Sequence, residues 1–288
     1  MAKNNLTVYK SNKVVEAGYK LSLNEQRLVL SCIAKVNSSK RLSATESFEV
    51  TAKEFSDQFR ISLDKSYQTL KEVSEQLFER YVIIDNPNPT DKTLKYTKTR
   101  WISSANYHPD AGKVSLVFAP FIIPYLSELQ GQFTFYLLEN ISSMNSIYAI
   151  RLYELLMQWK TTGKREIEID WLKKQFELEN KYSSIKDLKK YVLDPAVKDI
   201  NTHSNYQVSW IQRKTGRRVT HLTFEFSEKQ SVKPKKAKSN ATSRKAEKPE
   251  LKVDNVEYFA EVHKKYGVTA DAGIPDDIKE ILKAQGRW

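Results

Sequence analysis

Two sets of cationic side chains in the second half of the chain have the types and spacing to grip a polyanion. In the stretch YSSIKDLKKYVLDPAVKDIN (182–201), Ile185, Leu188, Val192, Ala196, Val197 and Ile200 recur at helical spacing as an apolar stripe. Ser184, Lys186, Asp187, Lys189 and Lys190 lie opposite that stripe, near the helix start. A lysine ammonium there can donate to guanine acceptors or to phosphates, and an aspartate can accept from cytosine. Recognition helices commonly make their base contacts from their N-terminal part. Immediately downstream, RKTGRR carries Arg213, Lys214, Arg217 and Arg218 around Gly216, which is free to take a turn conformation. A basic hairpin tip can follow the phosphate backbone or enter the minor groove. Either cluster alone reads equally well as a solvated face. On adjacent elements, the two point to one shared partner, double-stranded DNA.

Composition agrees. The chain has 288 residues, 28% of them charged, and a formal net charge of +12, a surplus that favours nucleic acid or an anionic surface. Its most apolar run, VSLVFAPFIIPYL, is interrupted by Pro120 and Pro124 and is too short to span a bilayer, and MAKNNLTVYKSNK has no signal-peptide core. No membrane partner is expected. The single cysteine, Cys32, allows no internal disulfide, which fits a cytoplasmic protein. Enzymatic signals are poor. There is no phosphate loop of the G-x-x-x-x-G-K-[ST] kind. The histidines, His108, His203, His221 and His263, form no local metal-binding pair, and no tyrosine has an evident activating partner. A non-enzymatic protein without cofactor or metal is expected.

The elements that must position these side chains repeat. SLNEQRLVLSCIAKVN opens with Ser22 and Glu25 at capping-box spacing, and Leu28, Val29, Cys32, Ile33 and Val36 share a face. SFEV alternates as a strand. TAKEFSDQF starts a helix with Thr51 and Glu54, and SLDKSYQTLKEVSEQLFERY continues as a longer one with Leu70, Val73, Leu77 and Phe78 inward. YVII begins strand territory, and TLKYTKTRWISSANYH and KVSLVF read as two strands joined through Pro109, Asp110 and Gly112. The order then recurs. SSMNSIYAIRLYELLMQWK is a buried helix and REIEI a strand. Asp170 can cap the helix WLKKQFEL, and the 182–201 helix and the strands YQVSWIQRK and RRVTHLTFEF follow. FEVTAKEF echoes IEIDWLKKQF, and DKSYQTLKEV echoes NKYSSIKDLKKYV. Helix, strand, helix, helix and a two-stranded hairpin is the winged helix-turn-helix layout.

The expected fold is therefore α+β: two tandem winged helix-turn-helix domains related by internal duplication, at 1–130 and 131–226. The lysine-rich stretch 227–250 reads as a disordered linker, and 251–288 as short helical segments. Pro195 admits two readings of the basic helix, a fresh start capped by Asp194 or a kink. In the first domain the equivalent helix exposes a mixed set that includes Lys65 and Lys71, and the hairpin carries Lys92, Lys95, Lys98 and Arg100. Lys65, Lys71, Lys95, Lys98 and Arg100 are candidates for secondary DNA contacts.

The stretches NKVVEAGYKLSLNEQRLVLSCIAKV, SIYAIRLYELLMQW and YSSIKDLKKYVLDPAVKDIN, followed by KTGRRVTHLTFEF, resemble iteron-binding plasmid replication initiators over about residues 5–226. The resemblance implies two winged-helix domains. The second reads directly repeated origin sites (iterons), and the first adds contacts and pairs with a second copy. Monomers help open the origin, and dimers often repress the initiator's own gene. Base contacts would fall on Ser184, Lys186, Asp187, Lys189 and Lys190, and phosphate contacts on Arg213, Lys214, Arg217 and Arg218. A host replication initiator and replicative helicase are further implied partners. The alternatives are a winged-helix transcription regulator without a replication role and, with less support, a rolling-circle nicking enzyme.

Overall fold

The structure, a computed structural model, describes residues 6–88, 90–129 and 132–229. The expected C-terminal helical segments and all of the expected linker beyond Lys229 lie outside the described residues. The chain opens with β1 (Thr7–Ser11), the single turn α1 (Asn12–Val15) and the short β2 (Gly18–Tyr19). Next comes α2 (Leu23–Ile33), fixed by the capping box that its sequence predicts. The Glu25 amide donates to Ser22 Oγ at 3.3 Å, and the Ser22 amide donates back to the Glu25 carboxylate at 2.5 Å. β3 (Ser47–Thr51) leads through a second box, Thr51 with Glu54, into α3 (Ala52–Phe59). α4 (Leu63–Phe78) follows, burying Leu70, Val73 and Leu77. Phe78, expected inward, is exposed at the helix end and carries the Arg100 guanidinium 5.0 Å from its ring.

β4 (Tyr81–Asp85), β5 (Tyr96–Arg100), β6 (Ile102–His108) and β7 (Lys113–Phe118) complete this half. Residues 93–108, which read as one strand, in fact change sheets at Trp101. β5 pairs with β4 in the order β2-β4-β5, whereas β6 pairs with β7 in the order β3-β7-β6. Trp101 holds the corner. Its indole is buried and meets the Tyr19 ring edge-on at 5.0 Å.

β8 (Phe133–Leu137) returns to pair antiparallel with β1. α5 (Glu139–Ser142) and α6 (Ile147–Met157) follow, and α6 is buried from Ala149 to Met157, as its apolar sequence requires. Then come β9 (Lys164–Glu168), α7 (Ile169–Gln175), α8 (Ile185–Leu188), a π turn over Lys189–Leu193, α9 (Asp194–His203), β10 (Tyr206–Thr215) and β11 (Arg218–Glu228). β11 runs past Phe226 to Glu228, so the first linker residues are strand. Lys229 is also tied down, its ammonium donating to the Ser204 carbonyl at 2.7 Å.

The duplication is explicit in the sheets. In β3-β7-β6 and in β9-β11-β10 the last strand in sequence lies between the other two, antiparallel to both. Each sheet is preceded by a buried helix and encloses a helix pair between its first strand and its hairpin. These are two winged-helix units on one continuous apolar core. A polar seam also joins them. Arg151 of α6 donates to the carbonyls of Ala17 (2.7 Å), Tyr19 (3.3 Å) and Gln175 (3.3 Å), and lies 3.5 Å over the Tyr19 ring. Lys10 of β1 forms a fully buried ion pair with Glu154 of α6, which also accepts the Tyr136 phenol.

Candidate nucleic-acid interface

The basic helix is one helical path through α8, the π turn and α9. Ser184 is its N-cap, with Oγ accepting the Lys186 amide at 3.1 Å, so this expected base-reading oxygen is engaged in ending the helix. At Pro195 no fresh capped start is found, and the disturbance takes the form of a π turn. Asp194 has helical backbone (φ −63°, ψ −43°), and its amide bonds to the Lys189 carbonyl five residues back. Proline lacks the amide and crowds the preceding turn, and the wider π turn accommodates it. Leu188, Val192, Leu193, Ala196, Val197 and Ile200 are buried on both sides of that turn. Lys186 and Lys190 are exposed, while Asp187 and Lys189 are half-buried. Lys189 Nζ lies 5.3 Å from the Trp210 ring of β10, a cation–π contact that links helix to wing.

The wing is the β10–β11 hairpin. Gly216 turns it with φ +63° and open space around it. Its four cations divide into two pairs. Arg213 forks onto Glu166 of β9, with Nε to Oε2 at 2.8 Å and a terminal nitrogen to Oε1 at 3.0 Å. This charge-assisted fork is the main influence that holds the Glu166 carboxyl below its ordinary range and raises the pKa of Arg213. Arg218 sits on Asp170 at 3.1 Å. Lys214 and Arg217 are exposed and form no ion pair among the described residues. Strand side chains alternate, so Arg213 stands on the opposite face of β10 from Trp210 and the helix. Asp170 is not the cap that its sequence suggests. α7 starts at Ile169 after Glu168, and Asp170 lies in the first turn, where a carboxylate suits the helix dipole.

The first-domain candidates are scattered. Lys65 and Lys71 are exposed on α4. Lys98 and Arg100 lie on β5 and Lys95 just before it, and β5 is not the first wing. That wing is β6–β7, turning through Pro109–Gly112. Lys98 Nζ rests 3.7 Å over the Tyr81 ring, and Arg100 pairs with Glu79 at 3.2 Å and donates to the Phe78 carbonyl.

Two exposed apolar side chains lie near these cations, Tyr191 on the basic helix and Ile211 on the far face of β10 with Arg213. Tyr191 is exposed, stacked on Tyr182 at 6.0 Å with Lys190 4.9 Å from its ring, and Ile211 is exposed on the wing. Strand alternation marks Ile211 as outward. Tyr191 is visible only as a polar-face neighbour of Lys190. Among the described residues no group of three or more His, Cys, Asp or Glu could hold a metal ion, and no helix is long and apolar enough to cross a membrane.

Comparison with known proteins decides the family. The model for "Initiator Replication protein, WH1" matches residues 7–157, and that for "Initiator Rep protein, WH2" matches 168–226. The chain belongs to the initiator replication protein family. A replication initiation protein of Escherichia coli is 32% identical to this initiator over 229 residues, 76% of this chain and 69% of the relative. The PI protein of Escherichia coli is 25% identical over 243 residues, 72% and 77% of the respective chains. Among solved structures, the Pi initiator protein in complex with iteron DNA has a TM-score of 0.69. It covers 80% of this initiator and 100% of that chain at 22% identity, a likeness of fold.

Proposed function

We propose that this initiator binds directly repeated duplex sites at a plasmid origin, using the 185–203 helix for base edges and the wing tip for phosphates. The observation that carries this reading is the juxtaposition just described. Lys186 and Lys190 project from a helix whose other face is buried, Lys189 contacts the wing, and the adjacent tip presents Lys214 and Arg217, exposed and in no ion pair among the described residues. A winged-helix protein places such a helix in the major groove and its hairpin along the backbone. Asp187 is half-buried beside these lysines and can accept from a cytosine amine. Lys65, Lys71, Lys95, Lys98 and Arg100 add weaker phosphate contacts from the first unit, which also pairs with a second copy. The action is non-enzymatic: binding energy at repeated sites destabilises neighbouring duplex, host replication proteins are recruited, and the paired form represses its own gene.

A gel-shift comparison of origin repeats with scrambled duplex tests the assignment. The Lys186→Ala/Lys189→Ala/Lys190→Ala variant is expected to lose discrimination, each base contact being worth about 1–3 kcal/mol. Full discrimination by that variant would overturn the assignment of the helix. For the first unit, charge reversal at Lys95, Lys98 and Arg100 that left DNA affinity and self-association unchanged would remove it from the interface.

A further inference from the structure

The wing carries its own counter-anions. Glu166 and Asp170 come from β9 and α7, not from the hairpin, yet each reaches across to one of its arginines. The antiparallel register explains how. Glu166 faces Thr223 on β11, and Arg213, one strand further out, reaches back over that row. Thr223 Oγ1 also donates to Glu166, at 3.3 Å, so the carboxylate is oriented before any ligand arrives. Neither ion pair is buried. Side-chain exposure is 47% for Arg213 and 43% for Glu166, and 73% and 64% for Arg218 and Asp170. Ion pairs this exposed contribute little to folding, so holding the sheet together is a weak reason for two of them on one wing. Their effect on a polyanion is larger. A guanidinium forked onto a carboxylate has two of its donors and much of its charge committed, and the adjacent carboxylate repels a phosphate brought to the donors that remain.

We propose that Glu166 and Asp170 are an electrostatic brake on the wing, holding Arg213 and Arg218 out of phosphate contact and keeping the sequence-independent grip on DNA weak. The inference rests on the DNA-binding reading above and adds to it a pair of residues that act against binding. Lys214 and Arg217 then supply the wing's resting phosphate contacts, and the other two cations are held in reserve.

The test uses the full chain with two duplexes, an origin repeat and a random sequence of equal length, across a salt series. Glu166→Gln and Asp170→Asn keep the shape of each side chain and remove its charge. Each substitution is expected to tighten binding to both duplexes by several-fold. Each should also steepen the slope of log affinity against log salt by about 0.9, one more phosphate contact. Arg213→Gln alone leaves the Glu166 carboxylate without its cation and should weaken binding modestly with the salt slope unchanged, whereas in the Glu166→Gln background it should abolish the gain, a coupling that separates release of Arg213 from general charge change. Unchanged affinity and slope in Glu166→Gln and Asp170→Asn would overturn the brake. Weaker binding would overturn it too, because the carboxylates would then be orienting the arginines for DNA. If the unmodified chain shows no salt-dependent affinity for either duplex, the DNA-binding reading fails instead.

Discussion

Neighbouring cations on this initiator have unlike surroundings, and their surroundings set what each can do. Lys214 projects from the wing without an ion-pair partner among the described residues, whereas Arg213, its neighbour, is forked onto Glu166. Removing a free cation should weaken binding to any duplex. Lys214→Ala and Arg217→Ala are each expected to flatten the salt slope by about 0.9 and to leave discrimination between repeat and scrambled duplex intact, as a salt-dependent gel shift would read. Burial decides the behaviour of Cys32 in the same way. The Cys32 thiol lies in the core on α2, and desolvation pushes its pKa up to about 12, which keeps it protonated and out of reach of reagents while the chain is folded. A thiol reagent at pH 8 should leave the native protein unmodified for as long as it stays folded and label it at once in denaturant. Rapid labelling of the native form would show that this part of the core opens.

Elements obey local rules until a tertiary contact overrides them. The first wing turns at Gly112, where φ is +55° and a Cβ would sit 2.2 Å from the Tyr67 ring of α4. Gly112→Ala combines left-handed strain with overpacking and is expected to cost about 1–3 kcal/mol in denaturant unfolding. An unchanged midpoint would mean that Tyr67 swings away freely. The capping boxes at Ser22 and Thr51, the apolar stripe of the basic helix and the duplicated order of elements were all legible in the residues, because each depends on contacts within a few positions. The sheet change at Trp101 was not. Thr97, Thr99 and Trp101 share one face, and although Ile102 directly after Trp101 shifts that period, it is the burial of the indole against Tyr19, far away in sequence, that divides the strand. The π turn before Pro195 was half legible. The proline announced a disturbance, but the choice between a break and a wide turn lay with the buried residues on both sides. Likewise the two sets of cations could be read directly, but their carboxylate partners depend on a cross-strand register.

At the scale of the whole molecule, the seam between the two winged-helix units sets how they hold one another. Arg151 satisfies carbonyls from both units, and the Lys10–Glu154 pair is sealed between β1 and α6. Charges so buried are stable only together, since removing one leaves the other without water or partner, a cost of about 3–5 kcal/mol. Lys10→Met is therefore expected to lower the unfolding free energy by about that amount. Lys10→Met/Glu154→Leu should recover most of the loss, short of the contribution of the Tyr136 phenol, which would lose its acceptor. The pH dependence provides a second readout. Desolvation lowers the Lys10 pKa, with Glu154 opposing it, so just below the ordinary lysine value the unfolded chain binds more protons than the folded one. The Lys10 contribution to stability must then rise with pH across that window and fall away beneath it. The stability of the unmodified chain minus that of Lys10→Met, measured in denaturant from pH 7 to pH 10, should climb with pH. A flat difference together with an unperturbed midpoint for Lys10→Met would show that water reaches the pair, and that β1 and α6 are not sealed against each other.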